Sequence, residues 1–209
     1  MRKGITLVLA LFGLALAQTP PRSHTVTVNV PSVLSVSLDA ADLDFLFDFS
    51  SNATDRVTVG GTPYSRAGQS AYNAFLDANT SSQVFAPSRV SLGNLGGGTG
   101  DFATLTVRSN RAKWTVSVSA SGSLEPPLDN TRLQVYAEKI SGAGSSLTTN
   151  PTPLPTTGSL NIIQATASGQ GKSSFKVYNL LELRLSDDIP LSVSGYSSQI
   201  TLTYTIGSP

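Results

Sequence analysis

Residues 114–120 read Trp-Thr-Val-Ser-Val-Ser-Ala, and residues 200–206 read Ile-Thr-Leu-Thr-Tyr-Thr-Ile. In both, apolar side chains take every second position and hydroxyl side chains fill the positions between. Successive side chains of a strand point to opposite faces, so a period of two marks a half-buried β-strand. The same pattern runs through Val26, Val28 and Val30 against Thr25, Thr27 and Asn29. It resumes after Pro31 at Leu34, Val36 and Leu38 against Ser35 and Ser37. Proline has no amide to give to a ladder, so Pro31 marks a bend, a bulge or an edge between two strand halves.

Outward from these stretches, shorter strands are predicted. One lies within Asp39–Phe49, where Phe45, Phe47 and Phe49 alternate with Leu46 and Asp48. Others fall at Val57–Val59, Val84–Phe85, Val90–Leu92, Leu105–Val107, Leu133–Val135, Leu160–Ala165, Phe175–Val177, Leu181–Leu185 and Leu191–Val193. A short helical turn is expected around Ala71–Leu76. Gly96–Gly98, Pro126-Pro127 and the Ser/Thr/Pro-rich stretch 142–158 read as turns and loops. Many short strands with one hydroxyl-lined face predict an all-β fold. Its expected form is an antiparallel β-sandwich of two packed sheets, immunoglobulin-like or jelly-roll-like, each with one wet side.

The 209 residues are 39% hydrophobic and 13% charged, with a formal net charge of +1. Such a chain can pack a core, and its charge balance gives no reason to expect nucleic acid as a partner. Arg2 and Lys3 precede an apolar run, Ile5 to Ala17, which ends Ala-Leu-Ala. That is the layout of a secretory signal peptide over residues 1–17, with a signal helix, an exposed leader at 18–24 and a single sandwich domain at 25–209. Cleavage after Ala17 leaves 12 basic against 13 acidic residues. The expected location is secreted, or at the cell envelope or surface. With no cysteine, neither a disulfide nor a thiol nucleophile is available, and stability must come from core burial and strand pairing.

Few residues offer chemistry. The only histidine, His24, lies in the leader, where nothing orders a general base, and zinc of the Cys/His kind has too few ligands. Asp39, Asp42, Asp44 and Asp48 are the weak calcium candidates. They lack the turning glycine of a calcium loop and alternate with large apolar residues, which suits acids on a strand's wet rim. Asp187-Asp188 reads as a strand-ending turn. Glu125, Glu138 and Glu182 are the carboxylates to test for a hydrolase, although general acid–base work needs a positioned pair that the sequence does not nominate. Gly96-Gly97-Gly98 has no Lys-Ser/Thr after it and is not a phosphate loop. Asn52 and Asn79 head glycosylation-type triplets of a kind common in Ser/Thr-rich chains. For ligand binding, Trp114, Tyr136, Tyr178, Tyr196 and Tyr204 are the rings able to stack on a sugar. Trp114, the sole tryptophan, reads first as the core anchor between two sheets and only second as a surface ring. No cofactor and no metal are expected.

The signal peptide, the opening strand Val30-Pro31-Ser32-Val33-Leu34-Ser35-Val36-Ser37-Leu38, the strand carrying Asn110 and Trp114-Thr115-Val116, and the closing Ile200–Ile206 together resemble the WxL-type surface proteins of bacteria. In that family two Trp-x-Leu motifs sit on late strands of a wall-associated β domain. The triplets here are Trp114-Thr115-Val116 and Tyr204-Thr205-Ile206, with Val and Ile in place of Leu and Tyr in place of the second Trp. The resemblance implies an extracellular or envelope-associated β domain. The function expected is a non-catalytic surface or envelope component that self-associates, as a homo-oligomer or with other surface subunits, or binds a cell-wall polymer. The alternative is a carbohydrate-binding, adhesin or pilin-like module, with residues 25–30 donated as a strand to a neighbour.

Overall fold

The computed structural model describes residues 28–39, 43–91, 99–189 and 196–208. In chain order the elements are β1 (Leu34–Leu38), β2 (Asp44–Leu46), β3 (Arg56–Val59), β4 (Thr62–Ser65), α1 (Gln69–Ala78), β5 (Ser82–Phe85), β6 (Arg89–Ser91), β7 (Thr99–Gly100) and β8 (Ala103–Ser109). They continue with β9 (Trp114–Ser121), β10 (Leu133–Ser141), β11 (Ser145–Ser146), β12 (Thr152–Pro153), β13 (Ser159–Ala165), β14 (Gly171–Arg184) and β15 (Thr201–Gly207). All lie in the compact unit Ser32–Pro209. The fold is all-β, and every ladder between these strands is antiparallel.

The larger sheet runs β1-β8-β14-β10-β12, with β5 on the end of β14 beyond β8. A second sheet runs β11-β13-β9-β15, and two small ones are β2-β6-β7 and the β3–β4 hairpin. The two larger sheets share one buried cluster. Leu105, Val107, Val135, Ala137, Phe175 and Val177 come from the first, and Trp114, Val116, Val118, Ile162, Ile163 and Ala165 from the second. In β13 the register slips between Asn161 and Ile163, so Ile162 is the extra residue of a bulge. That slip lets two consecutive isoleucines both be buried.

β14 corrects two expectations. Phe175–Val177 and residues 181–184 of the expected Leu181–Leu185 strand are parts of one 14-residue strand, with no break between them, and Leu185 lies just beyond its end. Moreover, its outer side is not wet at its centre. Tyr178 and Leu180 lie in a second apolar cluster with Val57, Val59 and Ala86, to which the β3–β4 hairpin contributes. Residues 177–181 are therefore all buried, and the period of two disappears from the sequence because both faces are apolar.

The expected helical turn is a full helix, α1. It is preceded by Gly68, where a Cβ would lie 2.5 Å from the Ala53 carbonyl oxygen, and it ends at Asn79 in the left-handed region (φ 50°). Its Phe75 meets Phe85 edge-on at 6.0 Å, and Phe85 meets Phe49 at 5.0 Å. A strand at 25–30 is not found over the described residues 28–30, and Thr25–Thr27 lie outside them. The signal segment 1–17, the leader, Gly96–Gly98 and Leu191–Val193 also lie outside them.

Candidate functional site

Trp114 opens β9 and is fully buried. Its indole N–H donates to the Gly169 carbonyl oxygen at 2.7 Å, and its ring meets Phe175 edge-on at 6.4 Å. Two glycines form the slot: a Cβ on Gly169 would lie 2.5 Å from Nε1, and one on Gly144 (φ +82°) 2.7 Å from the ring. The indole has no open face for a sugar. Trp114 is the core anchor, and its place among the stacking rings is corrected on that ground.

Tyr136 and Tyr178 are brought together on the outer side of the larger sheet, with ring centroids 6.2 Å apart, and Phe102 lies 5.4 Å from Tyr178. Lys176 sits 5.1 Å from the Phe102 ring and 3.7 Å from Glu138, whose carboxylate accepts a long bond from the Tyr178 hydroxyl (3.4 Å). Burial, and then the Glu138 charge, push the Tyr178 phenol well above its ordinary value. The rings serve packing here. Tyr178 is 4% exposed in the hairpin cluster, and Tyr136 lies against the hairpin turn, where a Cβ on Gly60 would be 3.1 Å from its ring. These contacts leave no free pair of ring faces for a glycan.

The other two tyrosines lie apart from that patch. Half-buried Tyr196 donates its hydroxyl to the Glu125 carbonyl oxygen at 2.5 Å. Tyr204 points from β15 towards the main core, and burial raises its phenol to about 12, offset in part by the buried Asn179 amide. The five rings thus do not form one groove.

The acids are likewise dispersed. Glu138 and Glu182 both lie on the outer side of the larger sheet, but the β10–β14 register sets them six residues apart along the strands. At ~3.3 Å per residue that is roughly 20 Å, twice the widest spacing of a glycosidase pair. Glu182 instead pairs with Arg184 at 2.9 Å, which lowers its carboxyl. Glu125 is exposed. Asp39 and Asp44 are exposed, and Asp42 lies outside the described residues. Asp48 caps a turn by accepting from the Ser50 amide (2.9 Å) and hydroxyl (2.6 Å), which holds its carboxyl below the usual range. Among the described residues no three His, Asp or Glu side chains are grouped to hold a metal ion.

Among the described residues the fold presents an unfinished seam. β1 and β15 are edge strands of different sheets and lie side by side. Their inward side chains, Leu34, Val36 and Leu38 with Leu202, Tyr204 and Ile206, pack on the main cluster yet remain only half-buried. Neither strand has a second partner among the described residues.

No family model, curated protein or solved structure matches this chain.

The two triplets Trp114-Thr115-Val116 and Tyr204-Thr205-Ile206 fall on paired strands, with Ile206 opposite Val116. The sequence reading missed Arg132. It is 7% exposed and ion-paired to Asp187 at 2.5 Å, one Nη left without a partner among the described residues. A single arginine beside a turn gives no sequence signal of burial, because the pairing spans 55 positions.

Proposed function

We propose that this chain is an exported, non-catalytic structural protein of the bacterial surface or envelope, which acts by associating with further copies of itself. The observation that carries the reading is the β1/β15 seam. Two adjacent sheet edges with half-covered apolar side chains form a surface on which another β-strand adds main-chain hydrogen bonds and apolar burial together. In this reading the two larger sheets stack as a β-sandwich around their common cluster, and residues 1–17 direct export. Hydroxyl-rich outward positions such as Thr201, Thr203 and Thr205 keep the remaining surface soluble without charge. Binding of a cell-wall polymer is the alternative mode of action; it rests on the WxL-type resemblance.

Fractionation of the producing cell, with sedimentation of the released protein over a range of concentrations, tests the proposal. The expected result is protein outside the cytoplasm that sediments as dimers or larger species. A cytoplasmic pool, or a strictly monomeric protein that also ignores isolated cell wall, would overturn it.

A further inference from the structure

Val28 and Val30 are 76% and 72% exposed, the most exposed large apolar side chains among the described residues. They belong to Thr25-Val26-Thr27-Val28-Asn29-Val30, an alternating sequence suited to a sheet, yet residues 28–30 lie in no strand. Among the described residues, Val28 and Val30 of this strand-suited sequence are uncovered and paired with no sheet.

The edge of β1 supplies the complement. The Val33 amide donates to Asn110 Oδ1 (2.9 Å), its carbonyl accepts from the Asn110 amide (3.0 Å), and the Asp39 amide donates to the Thr104 carbonyl (2.9 Å). In an antiparallel ladder alternate residues turn both main-chain groups to the same neighbour. Val33, Ser35, Ser37 and Asp39 therefore face β8, and the N–H and C=O groups of Leu34, Val36 and Leu38 face the open side. Those three residues also carry the half-buried side chains of the seam.

Resting on the self-association reading, we propose that residues 25–30 of one copy add as a strand to the open edge of β1 in a second copy. The valines of the donor then extend the apolar row of Leu34, Val36 and Leu38 and cover the seam towards β15. The donor joins its own β1 through Pro31, Ser32 and Val33, and Val33 is committed to Asn110 by both main-chain groups. The contact uses different surfaces on the two partners, so it propagates into chains of copies unless two molecules exchange segments and close a dimer.

The absence of cysteine makes the test clean. Asn29→Cys on the donor and Ser37→Cys on β1 both replace exposed side chains. The two full-chain variants, expressed and purified separately, are mixed under mild oxidation and run without reductant. The expected result is a disulfide-linked heterodimer, absent from either variant alone. Three results would overturn the proposal: no heterodimer, equal dimer from each variant alone, or cross-linking of Asn29→Cys to Thr203→Cys on β15 in preference. In parallel, Val28→Asp with Val30→Asp should shift the sedimenting species to monomer while Trp114 fluorescence stays that of the folded domain. Association that survives this change refutes strand donation but leaves self-association standing. A wild-type chain that never associates removes both.

Discussion

Replacing Leu180 by Ala tests whether the outer side of the larger sheet is core. Leu180 is 0% exposed and packs with Val57, Val59 and Tyr178. If that face were wet, as simple alternation suggests, the change would cost no more than ~0.5 kcal/mol. A fully buried leucine cut to alanine loses transfer free energy and leaves a cavity, ~2–5 kcal/mol together. We expect about 3 kcal/mol, within that range. With a urea m-value of about 2 kcal/mol/M, the unfolding midpoint should fall by about 1.5 M. Trp114 is the only tryptophan and is fully buried, so its emission reports exposure of the main core. Thr203→Ala, on the exposed side of β15, is the control. A Leu180→Ala midpoint indistinguishable from that of Thr203→Ala, at equal m-value, would refute the two-sided core.

Further outcomes are expected. Gly169→Ala forces a methyl to within 2.5 Å of the Trp114 Nε1, and should cost ~1–3 kcal/mol or more by overpacking, with a shifted Trp114 emission. Gly207→Ala, with nothing near its Cβ, should stay within ~0.5 kcal/mol by the same urea assay. Asp187→Asn strands the buried Arg132 charge and should cost ~3–5 kcal/mol, whereas Asp55→Asn at an exposed pair with Arg66 should cost ~0–1 kcal/mol; thermal melts of both compare them directly. Tyr204 holds its proton to about 12 in the folded chain and to 10.0 when unfolded. Below 10 both states are protonated; above it the unfolded state binds fewer protons, so stability should fall as pH rises from about 10 towards about 12. Urea midpoints at about pH 9 and about pH 11 should differ less in Tyr204→Phe than in the wild type.

The β9 and β15 strands were legible residue by residue, because each has one buried and one hydroxyl-lined side and local alternation records that directly. The absence of cysteine and the single histidine were likewise read from residue types. The candidate rings were identifiable only as rings. Their fates depended on which residues the fold set against them: Gly144 and Gly169 enclose Trp114, Gly60 backs Tyr136, and Val57 and Val59 share the cluster of Tyr178.

The sequence alone determined that strands predominate and which side chains of β1, β9 and β15 turn inward, since a period of two is a property of the backbone. Only the tertiary structure decided that β14 is covered on both sides around Tyr178 and Leu180, that Arg132 is buried against Asp187, and that β1 and β15 lie side by side as edges unpaired on one side among the described residues. Each of those results comes from pairing residues far apart in the chain, and no local pattern encodes such a pairing.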